Sequence, residues 1–100
     1  MSVYVIQEVP GKNIIRAAAY GEFVIMLPST MQIQASAKEA TSLMRQALVH
    51  FEDGDYLLLL GDPVAIGIAT ALAAKANHGH VNLLKWDRME KCYYKVVVDI

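Results

Sequence analysis

The chain has 100 residues, of which 55% are hydrophobic and 19% charged, and its formal net charge is −1. That length allows one compact domain, 1–100, but not two, and the near-neutral charge excludes an overall field that would attract nucleic acid or an anionic membrane. Because so small a domain has much surface for its volume, the apolar surplus predicts that another copy of the chain or a partner covers part of it.

Targeting and redox signals are sparse. Met1–Tyr4 lacks the basic residues of a signal peptide, and the apolar segment 63–74 is shorter than the ~20 residues that a membrane span requires. The single cysteine, Cys92, fits a reducing compartment. We therefore expect a soluble, cytoplasmic protein with no membrane partner.

The first half of the chain predicts two strands. Residues 2–9 and 22–27 are rich in β-branched and aromatic residues, and each run ends at a turn containing Pro10 or Pro28. The segment 12–20 between them stays open between helix and strand, since Ile14 and Ile15 favour a strand whereas 17–19 is alanine only.

A helix is predicted next. Ser36 and Glu39 match a capping box, in which each side chain satisfies a free backbone N–H, so we expect a loop over 30–35 and a helix from Ser36. Its apolar residues recur at spacings of three and four and form one stripe: Ala40, Leu43, Met44, Ala47, Leu48 and Phe51. Gly54 and the acids around it, including Asp55, predict a solvated turn.

Residues 55–87 predict a strand, a helix and a strand. The unbroken apolar run 56–60 is typical of a strand covered on both faces. Asp62 is a good N-cap and Pro63 fits the first helical position, so a helix should run from there to about Asn77, followed by a strand over 80–86. This arrangement has the size of a right-handed βαβ unit.

The second helix is apolar on every side, which predicts burial on every side. Gly67 and Ala71, with Ile68 beside them, form a surface small enough for another backbone to come close. We interpret these three residues as a candidate self-association surface.

The chain ends in a predicted hairpin, 80–86 and 92–100, in which 96–98 is interpreted as an inner strand. Taken together, the elements predict the α/β class: a single mixed sheet of about five strands with two helices, in the order β-β-α-β-α-β-β, with 56–60 at its centre.

Candidate chemistry is limited. The Gly61-Asp62-Pro63 turn could hold a small ligand, but it has no phosphate-binding glycine pattern, and the N-cap interpretation is preferred. His78 and His80 lack a third metal ligand nearby, and Cys92 lacks an adjacent base. We therefore expect no enzyme activity, no metal and no cofactor.

The hairpin carries the candidate binding residues, in which aromatic and basic side chains alternate: Lys85, Trp86, Arg88, Tyr93 and Tyr94. A purely structural hairpin is favoured, a protein contact comes second, and binding of single-stranded nucleic acid third.

Several stretches resemble small proteins of about 100 residues encoded in tailed-bacteriophage genomes: 4–13, 55–63, 66–67, 83–88 and 93–94. The resemblance covers most of the chain and carries no assigned activity. It implies the cytoplasm of an infected bacterium and an accessory or host-modulating protein that acts by binding. Our functional hypothesis is a non-enzymatic, self-associating protein, a dimer in the first instance, that can bind a host protein. The alternative is a nucleic-acid-binding module that uses the final hairpin.

Overall fold

The computed structural model describes residues 1–100 and confirms the α/β class and the predicted element order. Its strands are β1 (Ser2–Gln7), β2 (Glu22–Leu27), β3 (Tyr56–Leu58), β4 (His80–Asp87) and β5 (Cys92–Asp99). Its helices are α1 (Ile33–Leu48), α2 (Pro63–Ala76) and a 3₁₀ helix (Ile15–Tyr20), which resolves the segment left open between helix and strand.

The strands form one sheet in the order β2-β1-β3-β4-β5. β1 to β4 are parallel, and β5 is antiparallel to β4. β3 is therefore central, as predicted. The regular strand is shorter than expected, since it ends at Leu58. Leu59 and Leu60 still bond through the backbone to Leu84 and Gln7 but are only half-buried.

The two faces of the sheet are covered unequally. On one face, α1 and α2 bury the larger core, where Ala65, Ala69 and Ala73 of α2 are fully enclosed. On the other face, the 3₁₀ helix covers a small cluster, with Ala17 packed among Val3, Val5, Leu58 and Leu84. Because one short helix cannot span five strands, parts of β2 and β5 remain open to solvent.

Three local predictions are corrected. α1 begins at Ile33, inside the predicted loop, but a kink at Ser36 (φ −134°, ψ 31°) separates this first turn from the rest of the helix. The longer part of α1 thus starts directly after Ser36, as predicted, although Ser36 and Glu39 do not form the hydrogen bonds of a capping box. The predicted inner strand 96–98 belongs to β5, which is an edge strand. The second helix is not buried on every side, because no other element packs on its outer face, where Val64 is 57% exposed.

Asp55 was interpreted as part of a solvated turn, but it is buried. Its carboxylate accepts hydrogen bonds from the backbone N–H groups of Ser2 (2.9 Å) and Glu52 (3.1 Å). Its carbonyl oxygen accepts one from the side-chain amide of Asn82 (3.3 Å). Asp55 therefore joins the starts of β1 and β3 to β4, an arrangement that local charge pattern alone did not indicate.

Candidate interaction surface on the terminal hairpin

The terminal hairpin pairs β4 with β5 in an unbroken register from His80 opposite Asp99 to Asp87 opposite Cys92. A four-residue turn joins the strands. The carboxylate of Asp87 holds that turn by accepting hydrogen bonds from the backbone N–H groups of Met89 (2.8 Å) and Glu90 (2.9 Å). The hairpin is thus regular and contains no bulge.

The predicted binding residues do not form one patch. Trp86 lies opposite Tyr93, and Lys85 lies opposite Tyr94; because successive strand residues point to opposite faces, the two pairs lie on different faces of the sheet. The Trp86 and Tyr93 rings meet edge to face, with centroids 4.9 Å apart, and burial raises the pKa of Tyr93. Arg88 is exposed in the turn.

The outer edge of β5 is not paired with another strand of the sheet. In an antiparallel pair, residues alternate between those that bond to the neighbouring strand and those whose N–H and C=O groups point away. The N–H of Ile100 donates to the carbonyl of Gly79 on the β4 side (2.8 Å), so the even-numbered residues of β5 bond to β4. The outward-pointing residues are Tyr93, Lys95, Val97 and Asp99.

One end of this outward row is already occupied. The hydroxyl of Tyr20, at the end of the 3₁₀ helix, donates to the carbonyl of Tyr93 (3.2 Å). The guanidinium of Arg16 likewise donates to the carbonyl of Lys91 (3.2 Å). These contacts tie the end of the turn and the first part of β5 to the 3₁₀ helix and leave 95–99 as the open segment.

The open segment exposes a valine on each face of the sheet. Val96 is 42% exposed and Val97 is 48% exposed. Natural edge strands avoid pairing with other chains through bulges, prolines or several charges, whereas β5 has one interior charge, on Lys95. We call residues 95–99 the open edge of β5.

Two other surfaces expose apolar residues. On β2, the opposite edge of the sheet, Ile25 is 50% exposed, but the strand is shorter than β5 and ends in Met26 and Leu27, which are buried. On α2, the predicted self-association residues Gly67 and Ala71 are exposed, whereas Ile68 is half-buried. The α2 surface has no unpaired strand edge, whereas β2 has an unpaired edge of six residues on which Ile25 is the most exposed apolar residue.

The Gly61-Asp62-Pro63 turn is filled by the chain's own side chains. The Asp62 carboxylate accepts a hydrogen bond from the N–H of Val64 (2.8 Å), and the N–H of Asp62 donates to the side-chain oxygen of Gln7 (2.8 Å). Gln7 also packs so closely against Gly61, at φ +111°, that a side chain there would collide with it. The N-cap interpretation is confirmed, and the side chains of Gln7 and Asp62 accept hydrogen bonds from the backbone N–H groups of Asp62 and Val64.

The side chain of His80 lies beside two carboxylates. Nδ1 of His80 lies 2.7 Å from a carboxylate oxygen of Asp99, and Nε2 lies 3.8 Å from one of Asp53. The structure contains no group of three or more His, Cys, Asp or Glu residues placed to hold a metal ion. His80 and Asp99 instead form a cross-strand contact beside the open edge of β5.

These features define a small single-sheet α/β protein with an exposed edge strand. The chain belongs to the Phage Pam3 gp32-like protein family, whose model matches residues 1–100. It is therefore a small phage protein, which confirms the resemblance drawn from the sequence. No curated protein and no solved structure matches the chain significantly. None of its helices is long and apolar enough to span a membrane.

Proposed function

We propose that this phage protein is a non-enzymatic binding protein that works as a homodimer, and that its copies meet at β5. The observation that carries the proposal is the open edge of β5, an unpaired row of backbone donors and acceptors flanked by exposed valines. Pairing with another strand satisfies such a row and covers the valines at the same time.

Two further observations support a binding protein that is not an enzyme. The chain has more apolar residues than a domain of this size usually contains, and part of that surplus is exposed on β5. The imidazole of His80 contacts two carboxylates and no hydroxyl or thiol nucleophile, so it is not arranged as the base of a nucleophile–base pair. Membership of a phage family makes a host protein the expected partner of the dimer.

Nucleic-acid binding by the hairpin has less support. Its aromatic and basic side chains lie on two faces of the sheet, and Trp86 and Tyr93 pack on each other. A single strand that stacks on aromatic rings needs those rings and the cations along one groove.

The test is sedimentation equilibrium at micromolar concentration on the wild type and on two matched variants. Val97→Lys and Ile25→Lys each place a charge at an edge-strand position of similar exposure, 48% and 50%. We expect a wild-type dimer, a monomeric Val97→Lys variant and a dimeric Ile25→Lys variant, because a charge on an edge strand prevents pairing only where that edge is used. A monomeric wild type would refute the proposal, and loss of the dimer in Ile25→Lys alone would assign the contact to β2.

A further inference from the structure

The structure also constrains how two copies can meet, and this inference rests on the proposed function. We infer that β5 pairs antiparallel with β5 of a second copy about a two-fold axis at Val97, so that Lys95 of each copy lies opposite Asp99 of the other. The partner is thus a second copy of this chain, and the contact is isologous.

The backbone selects this register. Two antiparallel copies must join outward-pointing residues to outward-pointing residues, which allows axes at Lys95, Val96, Val97 or Val98. An axis at Val96 requires the backbone of Tyr93 to pair with Asp99 of the other copy. The Tyr93 carbonyl, however, already accepts a hydrogen bond from the Tyr20 hydroxyl of its own chain. An axis at Val97 uses only residues 95–99 and leaves that hydrogen bond intact.

Charge selects the same register. An axis at Lys95 places the Lys95 side chains directly opposite each other, which is destabilising. An axis at Val98 joins only Val97 to Asp99 within the open edge, so it pairs fewer of its residues. The axis at Val97 creates two Lys95–Asp99 pairs and about six backbone hydrogen bonds.

The register with its axis at Val97 also creates favourable side-chain pairs on both faces of the sheet. On one face, Val97 meets its own copy between the two Lys95–Asp99 pairs, and each Asp99 lies between that lysine and the His80 ring 2.7 Å away. On the other face, Val96 lies opposite Val98 of the second copy. The exposed valines are covered in pairs, which is the arrangement that cross-strand packing favours.

Disulfide cross-linking tests the position of the axis. In a Cys92→Ser background, Val97→Cys and Val96→Cys each supply one thiol. With the axis at Val97, residues 97 face each other at a Cα distance of about 5.5 Å, within the range a disulfide accepts. Residues 96 are then diagonal, about 7–8 Å apart. We expect oxidised dimers from Val97→Cys and few from Val96→Cys.

A charge exchange tests the Lys95–Asp99 pairing. Lys95→Glu and Asp99→Lys each place like charges opposite each other, so each variant alone should dimerise about tenfold more weakly than the wild type or worse. A mixture of the two variants restores opposite charges at both positions, so it should form a heterodimer of near wild-type affinity. A merely structural effect of either substitution on its own chain would not be rescued by mixing.

The outcomes separate the two proposals. Cross-linking through position 96 rather than 97, or no rescue in the mixture while the wild type is dimeric, overturns the register and leaves the homodimer standing. A monomeric wild type overturns both.

Discussion

Replacing Gln7 with alanine tests whether one buried amide holds together the carboxyl ends of the central strands. Gln7 is the last residue of β1 and is 6% exposed. Its side-chain nitrogen donates to the carbonyls of Pro28 (3.3 Å) and Met31 (3.0 Å), and its oxygen accepts from the N–H of Asp62 (2.8 Å). The amide therefore joins the connection before α1 to the start of α2.

The expected loss follows from these three hydrogen bonds. Each contributes about 1 kcal/mol net, and the groups left behind have little access to water, so Gln7→Ala should lower the free energy of unfolding by about 3 kcal/mol. For a domain of this size, that corresponds to a fall in Tm of about 15 °C. Gln7→Glu should be no better, because a carboxylate cannot donate to the two carbonyls that the amide nitrogen serves.

The assay is urea unfolding followed by far-UV circular dichroism, at one fixed protein concentration, because the proposed dimer would make apparent stability depend on concentration. Gln46→Ala is the matched control, since Gln46 is an exposed glutamine on α1 whose one side-chain contact is a 3.4 Å hydrogen bond to Ser42; it should change stability by less than about 0.5 kcal/mol. If Gln7→Ala behaved like this control, the amide would not be holding the connections together.

Two other substitutions probe single groups. Asp62→Ala removes the acceptor for the N–H of Val64 at the start of α2 and should lower the free energy of unfolding by about 1 kcal/mol. Asp62→Ser keeps a side-chain acceptor and should retain most of the wild-type stability. Equal losses in the two variants would contradict the role of Asp62 as N-cap. Burial, together with the Asp55 and Glu52 carboxylates, raises the pKa of Tyr4. The folded protein thus holds this proton more tightly than the unfolded chain, so its contribution is complete below about pH 10 and is lost as the pH rises through the folded-state pKa. In urea titrations at increasing alkaline pH, Tyr4→Phe should lose stability less steeply than the wild type, and identical slopes would show that Tyr4 is not the group responsible.

Sequence reasoning succeeded where the signal was local and failed where a distant segment supplied it. Asp62 followed by Pro63 predicted the start of α2 correctly, because cap chemistry involves only adjacent residues. Asp55 was misinterpreted because its partners include Ser2 and Asn82, far along the chain. The all-round apolar pattern of α2 overstated its burial, because an exposed apolar face produces the same pattern as one covered by a partner.

By itself, the sequence determined the α/β class, the order of the elements and the hairpin, since periodicity, caps and turns depend on near neighbours. Only the tertiary structure decided which strands lie at the edges of the sheet. It also decided that the Gln7 side chain bonds to the start of α2, and that Tyr20 bonds to the first part of β5 while 95–99 stays unpaired. An interior and an edge strand can have the same run of valines. What distinguishes them is whether another segment supplies hydrogen-bonding partners, and that depends on how the whole chain packs.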